Sequence, residues 1–111
     1  MSHLNLGQIN ELKDLMEDAF DDLINTYVQD SDEKIVLLQS AIENQDKNKI
    51  AEISHSLKGS SANICAEFLS GLFKQVEDQA RADNLTNIGQ SFALAEDEYQ
   101  QVRSELNKLN R

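Results

Sequence analysis

Residues 88–109 read IGQSFALAEDEYQQVRSELNKL, with apolar side chains at Ile88, Phe92, Ala95, Tyr99, Val102, Leu106 and Leu109. Every step is three or four residues. That spacing keeps returning to one side of an α-helix, and it fails for a strand, whose side chains alternate between two faces. The run therefore predicts an amphipathic helix with one face for a core and the other for water.

The same rhythm extends upstream. RADNLTN (81–87) is a polar break, with Asn84 or Thr86 as the expected cap of the last helix. Before it, Leu69, Leu72, Phe73, Val76 and Ala80 form a second stripe, and Ile50, Ile53, Leu57 and Ile64 a third that ends near Asn63 or Ile64. NQDKNK (44–49) separates these from what precedes, and Asp46 is the expected N-cap. Phe20, Leu23, Ile24, Tyr27, Val28, Ile35, Leu38, Ala41 and Ile42 predict one long helix from about 19 to 44. Its phase survives the polar Asp30-Ser31-Asp32. Leu4, Leu6, Ile9, Leu12, Leu15 and Met16 mark a short first helix, weakened at its start by Gly7.

The chain has no proline, four glycines and 5% aromatics, a composition that favours helix over sheet. Short breaks between long helices favour antiparallel neighbours. The expected fold is all-α: an up-down antiparallel four-helix bundle over about 19–109, with 1–18 as an additional short N-terminal capping helix. One domain accounts for all 111 residues. About twenty apolar side chains, each stabilising by roughly 1.5–3 kcal/mol when buried, suffice for its core. Val36 and Leu37 fall outside the long helix's stripe. They form either a partner patch or, as expected here, a contact with the N-terminal helix.

Twenty acidic and ten basic residues give a net charge of −10, which repels nucleic-acid phosphates and anionic lipid surfaces. A single cysteine, Cys65, excludes an intrachain disulfide and a cysteine-based zinc cage. His3 and His55 are the only histidines and form no metal-binding spacing, so no metal site is expected. No apolar run is long enough to span a bilayer and no signal-peptide pattern opens the chain. A cytoplasmic location is the expectation.

One stretch, SHSLKGSSAN (54–63), raises a chemical question. With Ile53 as the zero of a helical wheel, Leu57, Ile50 and Ile64 lie within ~60°, whereas His55 lies near ~200°. His55 should face water. An idle surface histidine is the commonest reading of such a position, but the neighbours argue against it. Ala51, Gly59 and Ala62 share its face, and Lys58 stands three residues on. A glycine inside a helix costs about 1 kcal/mol relative to alanine, so its presence beside an exposed histidine implies close approach by another molecule. An exposed imidazole is a good nucleophile near neutral pH. Phosphoryl transfer needs little more than positioning and charge neutralisation, which Lys58 can supply. The acceptor nitrogen would be Nε2, with Nδ1 held by a hydrogen bond.

His55-Ser56-Leu57-Lys58-Gly59-Ser60 resembles the His-x-Leu-Lys-Gly-Ser signature of histidine phosphotransfer (HPt) domains, and the helix spacing is similar from about Phe20 to Leu109. The resemblance implies a free-standing phosphorelay intermediate that carries a phosphoryl group between receiver-domain aspartates. It makes His55 the phosphorylated residue, Lys58 its charge partner and Gly59 the opening for the receiver. Ala51, Ala62 and Arg81 then belong to the partner-binding surface. Glu77 on the next helix either hydrogen-bonds the imidazole or forms a solvent-facing ion pair with Arg81. The implied partners are response-regulator receiver domains and a hybrid sensor kinase, met by a monomer. The resemblance places magnesium on the receiver, so no cofactor is expected here. The chain contains no glycine-rich nucleotide loop, and a phosphocarrier, not a stand-alone kinase, is implied. One residue departs from the pattern: Cys65 stands where the family commonly has glycine. The alternative function is a non-catalytic helical adaptor that binds a signalling partner without carrying phosphate.

Overall fold

The computed structural model describes residues 3–109, folded into five helices: α1 (Leu6–Met16), α2 (Ala19–Glu43), α3 (Lys47–Asn63), α4 (Glu67–Arg81) and α5 (Ile88–Leu109). Residues 1 and 2 of the expected capping segment, and 110 and 111 of the expected domain, lie outside the described residues. Helices α2 to α5 form the bundle, with α3 packed between α2 and α4, and α5 closing the ring against α4 and α2. Antiparallel pairing is visible in the cross-links. Tyr27 meets Ser61 while Lys34 meets Ser56, so residue numbers rise on α2 as they fall on α3. Lys58 is linked to Ser70 and His55 to Glu77, the same relation between α3 and α4.

The stripes read from the sequence become the core. Ile24, Leu38, Ile50, Leu57, Leu69, Phe73, Val76, Tyr99, Val102 and Leu106 are all fully buried. The polar stretch in α2 does not break the helix: Ser31 is buried, Asp30 pairs with Lys34 one turn on, and Asp32 reaches across to α5. Asp32 accepts a 2.6 Å hydrogen bond from the Tyr99 hydroxyl and pairs with Arg103, which joins the middle of α2 to α5. Asp46 caps α3 by accepting from the Lys49 amide, as expected. The residue before α5 is Asn87, one position beyond Thr86.

Helix α1 lies over the end of the bundle that holds the α3–α4 turn, where the Asn5 amide donates to the Cys65 carbonyl. Asn5 also caps α1 through the Gln8 amide, and Ile9 is fully buried. Ahead of it, His3 Nδ1 lies 2.8 Å from a carboxylate oxygen of Glu98 on α5. Val36 and Leu37 do not meet α1: they are 66% and 57% exposed. The reason is distance along the rod. Helix α1 precedes Phe20, and Leu37 lies ~25 Å further along α2 at 1.5 Å per residue.

Candidate functional site

Helix α3 presents His55 on the shoulder between solvent and α4. Its side chain is 63% exposed, and Nδ1 lies 3.0 Å from Glu77 Oε2. A carboxylate can only accept, so Nδ1 carries the proton and donates. In the neutral ring Nε2 then holds the free lone pair, and it makes no hydrogen bond among the described residues. The imidazole is thus held in one tautomer and one orientation.

Glu77 is the hub of the site. It is 4% exposed on the face of α4 that packs against α3. Besides His55, it meets Lys58 Nζ at 2.8 Å through Oε1, and Arg81 Nε and Nη2, both at 2.8 Å, through Oε2. Burial would raise its carboxyl pKa, but the contacts with Lys58, Arg81 and His55 outweigh burial and hold it at about 2. Glu77 is therefore a carboxylate at any physiological pH. The solvent-facing ion pair with Arg81 is not what forms: the pair exists, but on a buried acid that also orients the histidine.

Lys58 follows His55 by three residues on α3, and its backbone carbonyl accepts a 2.9 Å hydrogen bond from Ser70 on α4. Gly59 is exposed, and a Cβ built on it would meet nothing within 4 Å. The packing within the fold therefore does not require glycine there. Ala62 is exposed on the same side. Arg81 is 56% exposed and turned onto Glu77.

Ala51 departs from the expected exposed face and is 5% exposed. A wheel drawn from apolar residues alone is centred too far toward Ile53. Ser54 and Ser61 are both fully buried, and the buried residues Ile50, Ala51, Ser54, Leu57 and Ser61 are centred ~90° from Ile53, which puts Ala51 on the buried side, beside Ala80 and Arg81 of α4. His55 remains ~110° from that centre and stays outside.

One neighbouring cation escaped the sequence reading. Lys34 on α2 donates to Ser56 Oγ at 2.6 Å and pairs with Asp30 at 2.9 Å, so it borders the His55 face on the side away from α4. The i,i+4 spacing of Asp30 and Lys34 is visible in the sequence, but its proximity to α3 is not. Beside it, Leu23, Thr26, Tyr27, Asp30, Ser60, Asn63 and Ile64 line a shallow groove between α2 and α3. Among the described residues no cluster of ligating side chains could hold a metal ion, and no helix is long and apolar enough to cross a membrane.

Chemically, the arrangement offers one exposed nucleophilic nitrogen, a carboxylate to balance charge arising on the ring, and a nearby ammonium for an anion bound to that nitrogen. Comparison with known proteins agrees with this reading. Residues 22–105 match the family model described as the Hpt domain. The chain is also similar to the crystal structure of histidine-containing phosphotransfer protein B (HptB) from Pseudomonas aeruginosa PAO1. The TM-score is 0.93 at 30% identity, over 97% of this chain and 94% of that one. No curated protein sequence matches the chain.

Proposed function

The chain belongs to the Hpt domain family and acts in histidine phosphotransfer within a two-component phosphorelay, and we propose that the transferred group is carried on Nε2 of His55. The observation that carries this reading is the exposed imidazole whose Nδ1–H is committed to the buried Glu77 carboxylate. Its exchange partners are receiver domains of two-component systems. In transfer, the Nε2 lone pair forms the N–P bond as the O–P bond of a receiver aspartyl phosphate breaks, and the electron pair leaves with the receiver's carboxylate. The proton on Nδ1 stays between the ring and Glu77, which offsets the positive charge the ring acquires.

Lys58 is the charge partner of the phosphoryl oxygens in this reading. The bare surface at Gly59 and Ala62, with the groove between α2 and α3, receives the receiver. Arg81 acts first through Glu77. Magnesium belongs to the receiver, and the chain works as a monomeric phosphocarrier without a cofactor of its own. A hybrid sensor kinase is the upstream donor. The compartment is the cytoplasm, where such receivers meet an ATP-fed kinase. A non-catalytic adaptor would leave the single tautomer of His55 and the convergence on Glu77 without a purpose.

Incubation with a phosphorylated receiver tests the proposal. Wild-type chain should acquire an acid-labile, alkali-stable label, and His55→Gln should stay folded and acquire none. Labelling that persists in His55→Gln would remove the proposed site.

A further inference from the structure

Glu77 uses its two oxygens unequally. Oε2 takes the His55 Nδ1–H and both Nε and Nη2 of Arg81. Oε1 is buried and faces Lys58 Nζ at 2.8 Å, without an aligned hydrogen bond. Two full positive charges, those of Lys58 and Arg81, therefore stand on one carboxylate before the imidazole is counted. The resting cluster holds one cation more than Glu77 needs.

We propose that Glu77 holds Lys58 in reserve: phosphorylation of His55 transfers the Lys58 ammonium from Glu77 Oε1 to a phosphoryl oxygen, while His55 and Arg81 remain on Oε2. This rests on the reading of His55 as the phosphorylated residue. Of the two cations, Lys58 is the one free to move. Among the described residues its ammonium has one ion-pair partner, whereas Arg81 grips Oε2 through two N–H groups, a planar fork fixed in direction. Lys58 also shares α3 with His55 at a spacing of three, which puts its flexible stem beside the ring. Its side chain is 28% exposed, so the ammonium can swing outward without being drawn from a closed core.

Charge favours the exchange. Adding a phosphoryl group to Nε2 places a dianionic group on a ring that has become cationic, one net negative charge more than before. That extra charge matches the surplus cation. The departure of Lys58 leaves Oε1 buried without its partner, which opposes loading, and the new contact to phosphate favours it. Glu77 is thus a positioning residue that gives Lys58 a place to return to, and it keeps loading and unloading close in free energy.

Side-chain NMR of ¹³C,¹⁵N-labelled protein tests this before and after treatment with phosphoramidate. In that reaction the reagent's P–N bond breaks, ammonia leaves and the N–P bond to His55 forms. The Lys58 Cε–Nζ signal and the Glu77 carboxyl carbon should both shift on phosphorylation, while Lys74, paired with Asp78, stays put and Arg81 Nε keeps its resting position. Glu77→Gln should move the Lys58 signal in the resting protein and leave it unmoved in the phosphorylated one. A phosphohistidine phosphorus signal with Lys58 and Glu77 still at their resting shifts would overturn the exchange alone. Absence of phosphohistidine in the wild type would overturn the reading of His55, and the exchange with it.

Discussion

At Glu77, burial and ion pairing pull in opposite directions, and ion pairing wins: the carboxyl falls from an ordinary value of 4.5 to about 2. As pH drops, the unfolded chain takes up this proton before the folded one does. The stabilisation from Glu77 is therefore complete above pH 4.5 and is lost as pH falls toward about 2. Glu77→Gln has no such proton to gain, so its stability should fall less steeply across that window, by up to about one proton's worth of slope. Urea midpoints of both proteins at a series of acid pH values measure it. Equal slopes would mean that the carboxylate is not held as described. Lys58 gives a kinetic counterpart. Lys58→Ala should slow phosphoryl transfer by about ten- to a hundredfold, since it removes one donor to the developing charge. Its melting temperature should stay within about 5 °C, because His55 and Arg81 still satisfy Oε2 of Glu77. Rapid-quench transfer from a phosphorylated receiver and a thermal melt decide both halves. At this scale the outward imidazole was legible from helical phase. The pairing of Lys58 with Glu77 was not, since it joins residues on different helices whose rotation about each other no single stripe specifies.

The helices show where local rules hold and where substitutes stand in. Periodicity located all five within a few residues because long amphipathic stripes are cooperative over many turns. Their ends were harder to read. Helices α2, α3 and α4 all finish with a residue in the left-handed region, at Gln45, Cys65 and Asp83, with φ of 53°, 66° and 55°. Each end has the paired backbone bonds of a Schellman turn: Asp46 to Ala41 and Gln45 to Ile42, Ala66 to Ser61 and Cys65 to Ala62, Asn84 to Gln79 and Asp83 to Ala80. Glycine is the usual occupant of that position, yet no glycine of this chain has positive φ. A search for glycine caps therefore finds none of these turns. Gln45 is exposed and has little packing to lose, so Gln45→Gly should stabilise the fold by about 0.5–1 kcal/mol. Cys65 is 8% exposed, and the apolar packing that Cys65→Gly removes should cancel most of the same relief. Denaturant unfolding of the two variants separates these outcomes. A larger gain at Cys65 than at Gln45 would mean that the thiol contributes no packing. Helix α3 adds the other lesson: its buried serines, Ser54 and Ser61, made an apolar-only wheel point the wrong way for Ala51 while leaving His55 outside.

Across the whole molecule, a rod of 42 × 24 × 18 Å serves to display one ring. Helix α3 is gripped on one side by α4, through Glu77 and Ser70, and on the other by α2, through Tyr27 and Lys34. Helix α5 is tied to α2 by Tyr99 and Arg103 on Asp32, so the support behind α3 is itself braced. The four-helix architecture was legible because it follows from stripe and loop lengths. The position of α1 was not, since its cover over the α3–α4 turn depends on single contacts such as Asn5 to Cys65. In the proposed transfer the phosphoryl group goes to Nε2 of His55, the ring nitrogen that this framework leaves outside. Long-range ¹H–¹⁵N correlation of the histidine rings, recorded after phosphorylation by a receiver, identifies the modified nitrogen directly. Phosphorus should appear on Nε2 of His55, with Nδ1 still protonated and His3 unchanged. Phosphorus on Nδ1 of His55, or on His3, would contradict it.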